Sequence, residues 1–244
     1  MNQIKTISFV LMAFLVISIS SCAQNSTTKE EGFSHQAFDN LLQKYVSASG
    51  VVNYSALKKD ETSLDKYLAE LSKEAPGKSW SKNASLAFWI NTYNAYTIQL
   101  ILKNYPVKSI QDINKGKPWD LQWIKIGDKT YSLNNIENDI IRPQYKDPRI
   151  HFAVNCAAKS CPPLANKAFT ETNINSMLDA RAKNFINSGM NDITPSSATI
   201  SKIFDWYKAD FGNVINFINK YSSVKLNAGA TIGYKDYDWN LNGK

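Results

Sequence analysis

The sequence predicts an α+β fold with a buried helix at its centre. Three observations carry that expectation. Segments with apolar residues at helical spacing crowd the first half of the chain. Extended segments are short and dispersed, without the regular strand–helix alternation that a parallel sheet requires. Residues 86–102 (LAFWINTYNAYTIQLIL) are apolar around nearly the whole helical circumference, a pattern that suits a helix enclosed on all sides.

In chain order, Phe38, Leu41, Leu42 and Tyr45 recur at helical spacing and predict a helix over 34–48. Residues 50–54 (GVVNY) read as a short extended piece. Leu64, Tyr67, Leu68 and Leu71 mark a second helix, stopped by Pro76-Gly77. The central helix over 86–102 follows and ends before Pro106. It is too polar, at Asn91, Asn94 and Gln99, to span a membrane. Residues 123–126, the pair Gly127-Asp128 and residues 129–131 predict a hairpin with a tight two-residue turn. Asn134-Asn135-Ile136-Glu137 opens a helix in which Glu137 is placed to close a capping box, and that helix is expected to stop before Pro143. Residues 149–154 (RIHFAV) read as a central strand leading into the loop 155–163. Helices are expected at 172–187, 201–210 and 213–221, a short hairpin around 191–200, and a last strand through 231–234.

Composition narrows the class. The 244 residues are 43% hydrophobic and 20% charged, which excludes a disordered polyelectrolyte. The formal charge of +7 comes from lysines and arginines spread along the chain, with no basic stripe of the kind nucleic acid needs. Two His and three Cys leave little material for a metal cluster or a disulfide scaffold. No phosphate-binding glycine-rich loop is present, and no cofactor is implied.

The amino terminus carries an address. Lys5 precedes an apolar run from Ile7 to Ile19, too short for a comfortable span and suited to a signal peptide. Ile19-Ser20-Ser21-Cys22 resembles the lipobox of bacterial lipoproteins. The resemblance implies a signal peptide over 1–21, acylation of Cys22, and a membrane partner reached through that lipid anchor. The polar stretch 22–32 reads as a flexible tether and 33–244 as one globular domain. Ala23 after the Cys matches the pattern of outer-membrane sorting, so the expected location is the cell envelope, at the periplasmic or outer face of the outer membrane.

Several blocks resemble a family called domain of unknown function 547. They are Phe88-Trp89-Ile90-Asn91-Thr92-Tyr93-Asn94-Ala95, Tyr131-Ser132-Leu133-Asn134-Asn135-Ile136-Glu137, and Asp147-Pro148-Arg149-Ile150-His151-Phe152-Ala153-Val154-Asn155-Cys156. Ser160-Cys161-Pro162-Pro163-Leu164, Ile203-Phe204-Asp205-Trp206-Tyr207, Asp210-Phe211-Gly212 and residues 237–242 match in the same order, so the likeness runs from about 50 to 242. One departure stands out: the family usually has His where this chain has Asn138. The family has a distant likeness to the papain and transglutaminase-like fold. That implies a central helix packed on a small, mainly antiparallel sheet, and a Cys–His pair.

Candidate chemistry centres on residues 137–161. Cys156 and Cys161 lie in one loop of a chain expected in an oxidising compartment. One reading pairs them in a local disulfide. The other makes Cys156 a nucleophile, activated by His151 as base. Asn91 and Asn94, three apart, share a helix face; they either tie the helix to a neighbouring loop or form a polar floor beneath a site. Glu137 is a candidate supporting acid, and Glu137 with Arg142 is placed to orient a loop or meet Arg149. Papain-like enzymes place their Cys at the start of the central helix, and Ser85-Leu86-Ala87-Phe88 offers none. Asp205, Asp210, Asp236 and Asp238 are candidates for a carboxylate pair, and Trp206, Tyr207, Tyr237 and Trp239 for stacking on sugars. A metal site from His151, Cys156 and Cys161 lacks a fourth ligand at ordinary spacing.

Two functions stay open. One is a non-catalytic binding or scaffolding module, favoured because the sequence assembles no complete triad. The alternative is a thiol-dependent hydrolase or acyltransferase acting on peptide or peptidoglycan-like amides, with Cys156, His151, Glu137 and Asn91 as its candidate residues. A peptide, peptidoglycan or glycan ligand is the expected partner in either case.

Overall fold

The computed structural model describes residues 32–244. The expected signal segment, the acylated Cys22 and the tether up to residue 31 lie outside the described residues. The first helices form where apolar spacing predicts them. α1 (Gln36–Tyr45) buries Phe38, Leu41, Leu42 and Tyr45. α2 (Tyr54–Lys59) is capped by Asn53, whose side chain accepts from the Ala56 amide at 3.1 Å. α3 (Glu61–Leu71) buries Leu64, Tyr67, Leu68 and Leu71.

α4 (Lys82–Asn104) begins at Ser81, whose hydroxyl accepts from the Ala84 amide, and the chain leaves it at Tyr105, ahead of Pro106. Every residue from Leu86 to Leu102 is buried, polar ones included. No helix among the described residues is long and apolar enough to cross a membrane. The helix is therefore the axis of the larger apolar cluster, with α1–α3 against it.

β1 (Ile124–Ile126) and β2 (Lys129–Tyr131) pair antiparallel, Ile124 opposite Tyr131 and Ile126 opposite Lys129, across the expected Gly127-Asp128 turn. Trp123 meets Tyr96 edge-on at 5.2 Å, and Tyr131 meets Trp89 at 5.6 Å, which seats the hairpin on α4.

The next two elements depart from expectation. Residues Asn135–Ile141 form a π-helix that runs without a break into α5 (Arg142–Tyr145), so the helix passes Pro143 instead of stopping before it. Pro143 follows directly on the wide π turn, and its missing amide hydrogen removes one donor from a helix already under way. Asn135, not Glu137, closes the start of the helix: its side-chain Oδ1 accepts from the Ser132 backbone amide while the Ser132 hydroxyl accepts from the Asn135 backbone amide. The segment 149–154 is not a strand. Pro148–Phe152 wind into a 3₁₀ turn, because the Asp147 carboxylate accepts from the Arg149 amide at 3.0 Å and proline presets the first turn.

α6 (Ile174–Ile186) is followed by β3 (Asp192–Ile193) and β4 (Ser197–Ile200), then α7 (Ile203–Trp206), α8 (Lys208–Phe211), α9 (Val214–Tyr221) and β5 (Thr231–Tyr234). The second sheet has the order β3-β4-β5, with β3–β4 antiparallel and β4–β5 parallel. Its apolar face joins a second, smaller cluster built around Phe152, Phe185, Phe204 and Ile218. The fold is thus mixed α+β, but α4 packs on helices and the hairpin, while the larger sheet serves the other cluster. Ile150 belongs to the first cluster and Phe152 to the second. His151 sits on the turn between them.

The chain ends as a strap. Leu241 donates its amide to the Lys108 carbonyl, Asn242 to Ala157, and Lys244 to Val52. Gly243 is required there: a Cβ would collide with the Val52 carbonyl oxygen and the Tyr54 ring.

Candidate functional site

At the junction of the two clusters lies a cavity of about 220 Å³. His151, Glu137, Cys156 and Cys161 all line it. Four residues singled out along the sequence thereby come to one place.

His151 is positioned from three sides. The 3₁₀ turn fixes its backbone, and Tyr207 stacks on its ring at 3.8 Å with an interplanar angle of 25°. Its Nε2 lies 2.7 Å from the Asp210 carboxylate. Asp210 is in turn clamped by Arg142, through Nε at 2.6 Å and a second guanidinium nitrogen at 3.0 Å. Bonds from His151 and Arg142 hold the Asp210 carboxyl well below the usual carboxylate range. A carboxylate accepts only, so Nε2 carries the proton and Nδ1 keeps its lone pair in the neutral ring. Buried Nδ1 has no hydrogen-bond partner among the described residues. An unpaired buried acceptor is costly for folding, and this one belongs to a residue that lines the cavity.

The cysteine loop is held from α4. The Asn94 amide donates to the Ala153 carbonyl at 2.9 Å and accepts from the Asn155 amide at 2.8 Å, as a neighbouring strand would. Asn155 then donates to the Pro162 carbonyl and accepts from the Ala157 amide, closing the loop on itself. Ala157 has φ +59°. A non-glycine residue in that region costs on the order of 1 kcal/mol, and such strain gathers where a neighbouring side chain must be aimed. The neighbour here is Cys156.

The two thiols are free. Instead of a disulfide, the Cys156 amide donates to Cys161 Sγ at 3.0 Å. The Tyr237 hydroxyl lies 3.2 Å from Cys156 Sγ. A hydrogen bond from the Cys161 thiol, with a second from Tyr237, pulls the Cys156 pKa down against the desolvation that raises it. Burial, with that same bond, pushes Cys161 well up. Cys156 is half-buried and Cys161 buried, so the more acidic thiol is also the more accessible one.

Glu137 is 5% exposed and hydrogen-bonds Tyr207, the ring that stacks on His151. Its charge opposes a thiolate at Cys156, so it acts on the imidazole's support and not on the thiol. The π-helix explains its reach. The Arg142 amide bonds the Glu137 carbonyl five residues back, and that wider turn brings Glu137 and Arg142 onto about the same face, toward His151 and Asp210. Neither residue meets Arg149, which is tied to Asp147 and Asp179.

Asn91 is not in the cavity. It donates to the Phe169 carbonyl at 2.7 Å and accepts from the Phe169 amide at 3.0 Å, a purely structural tie. Asn138 is exposed and accepts from Arg142 at 2.8 Å, also away from the cavity wall. Of the suggested aspartates, Asp205 meets Lys202, Asp238 holds Asn240, and Asp210 stands behind His151. Among the described residues no group of three or more His, Cys, Asp or Glu side chains is arranged to hold a metal ion. His35 lies elsewhere, against the Tyr67 hydroxyl. Sequence reasoning missed the roles of Asp210 and Tyr237, which are 59 and 81 residues from their partners and send no local signal.

Residues 77–186 match a family described as Protein of unknown function, DUF547. The resemblance to the domain of unknown function 547 family holds over that segment, which carries α4, the hairpin, the π-helix and the cysteine loop. The blocks holding Asp210 and Tyr237 lie beyond it. No curated protein and no solved structure matches the chain.

Proposed function

We propose that this chain is a thiol-dependent hydrolase or acyltransferase of the cell envelope, anchored through Cys22 and acting on peptide or peptidoglycan-like amides. One observation carries the reading: acidic, half-buried Cys156 shares a cavity with His151, whose Nε2 is fixed by Asp210 while Nδ1 is free. Asp210 supplies the third member that no sequence spacing provides, and it turns the balance from a binding module toward an enzyme. The likeness to papain-type enzymes stays at the level of roles, since Cys156 comes from a loop and not from the start of α4.

The steps follow from the groups present. Cys156 loses its proton to His151 Nδ1, and the thiolate attacks the substrate carbonyl. Asp210 steadies the resulting imidazolium, as a buried carboxylate does in the serine triad. The imidazolium returns the proton to the departing amine as the C–N bond breaks, leaving a thioester on Cys156. Water or an acceptor amine, deprotonated by His151, attacks that thioester and regenerates the thiol.

Iodoacetamide labelling followed by mass spectrometry tests the thiol directly. Cys156 is expected to react well before Cys161, with a midpoint below the ordinary cysteine value of about 8.5, and His151→Ala is expected to slow it. Turnover of aryl-ester and peptide-amide substrates should vanish in Cys156→Ser with the fold intact. Full turnover in Cys156→Ser, or labelling of Cys156 no faster than a free thiol, overturns the reading.

A further inference from the structure

Trp206 is 45% exposed and belongs to neither apolar cluster. A large ring left in water contributes little to folding, so its neighbours are informative. Trp206 stacks near Trp239 at 5.8 Å and 24°, and meets Tyr237 at 4.8 Å. Tyr237 and Trp239 are 4.5 Å apart, and Trp119 closes the row against Trp239 at 5.6 Å. Three distant segments thus deliver four aromatic rings to the wall of the cysteine cavity.

The row has a polar edge. Asn134, which also lines the cavity, donates to Asp120 at 2.6 Å beside Trp119. Asn138, off the cavity wall, donates to Asn134 at 3.2 Å from behind. On the other flank Asn240 donates to Asp238 at 2.6 Å, next to Trp239. An alkyl chain would call for rings alone. Rings bordered by amides and carboxylates suit a ligand with an apolar face and a hydroxyl-bearing rim, which is the chemistry of a pyranose ring.

We infer that the aromatic row of Trp119, Trp206, Tyr237 and Trp239 is a saccharide subsite, so that the acyl group presented to Cys156 is carried on a sugar. The second clause rests on the thiol mechanism; the subsite itself does not. Tyr237 joins the two, because its ring belongs to the row while its hydroxyl reaches Cys156 Sγ.

The test uses the Cys156→Ser protein, which binds without turnover, and soluble N-acetylglucosamine oligomers as probe. The chain has six tryptophans, and each indole N–H gives its own proton–nitrogen NMR signal. Signals of Trp119, Trp206 and Trp239 should move on titration while those of Trp80, Trp89 and Trp123 stay. Trp206→Ala should weaken binding about tenfold, a loss on the scale of one stacked ring, and Trp206→Phe should restore most of it. No shift at millimolar oligomer, or shifts confined to the other three indoles, overturns the subsite. Because thiol labelling is scored separately, a lost subsite with a fast Cys156, or a bound sugar with an inert thiol, tells which of the two proposals has failed.

Discussion

At the scale of single residues, the acidity of Cys156 is set by neighbours and not by exposure. The hydrogen bond from Cys161 is the largest influence lowering its pKa, ahead of Tyr237, and both work against desolvation and the charge of Glu137. A thiol with a lowered pKa is ionised from a lower pH, so removing the donor must move ionisation upward. Cys161→Ala is therefore expected to shift the midpoint of Cys156 alkylation to higher pH, toward the ordinary cysteine range, with a smaller shift in Tyr237→Phe. Alkylation rates across pH, followed residue by residue, check this; an unmoved midpoint in Cys161→Ala would sink it. Spacing left two readings of Cys156 open, a disulfide with Cys161 or a pair with His151, and the sequence favoured the first. It picked Asn91 as a helix-face amide needing a partner. What separated Asn91 from Asn94 was the identity of the loop each one reached.

Elements show where local chemistry sufficed. The hairpin over 124–131 was legible because Gly127-Asp128 is turn chemistry contained in two adjacent residues. Residues 149–154 misled because Ile150, Phe152 and Val154 alternate like a strand, whereas Asp147 and Pro148 just before them nucleate a turn. Local capping overrode periodicity. The two α4 asparagines offer a matched experiment on these elements. Asn94→Ala leaves the Ala153 carbonyl and Asn155 amide unpaired, at a cost of roughly 1–3 kcal/mol for each buried group. Asn91→Ala does the same to Phe169. Urea unfolding should show similar losses in both, while only Asn94→Ala slows Cys156 labelling. Equal labelling in the two variants would separate the cysteine loop from α4 and refute its anchoring there.

Over the whole molecule, the cavity exists because two apolar clusters meet without merging. The turn Pro148–Phe152 has one foot in each, and His151 faces the gap between them. The carboxy-terminal strap closes the same gap: it bonds to Lys108, Ala157 and Val52, and brings Tyr237 and Trp239 to the cavity. Gly243 is its tightest point. Gly243→Val should lift the strap, lower stability by a few kcal/mol through overpacking, and slow Cys156 labelling by withdrawing Tyr237. Thermal unfolding and labelling of the same variant measure both effects, and a Gly243→Val protein as stable and as reactive as wild type would show the strap to be dispensable.

By itself the sequence determined the α+β class, most helix positions, the hairpin and the likeness to an uncharacterised family, because each depends on residues close together along the chain. Tertiary structure alone decided that Asp210 stands behind His151, that Tyr237 meets Cys156, and that four aromatic rings share one wall. Those contacts join residues tens of positions apart, and their energy arises only when packing of the two clusters brings them together. Spacing along a chain records which side chains share an element, but a cavity is made between elements.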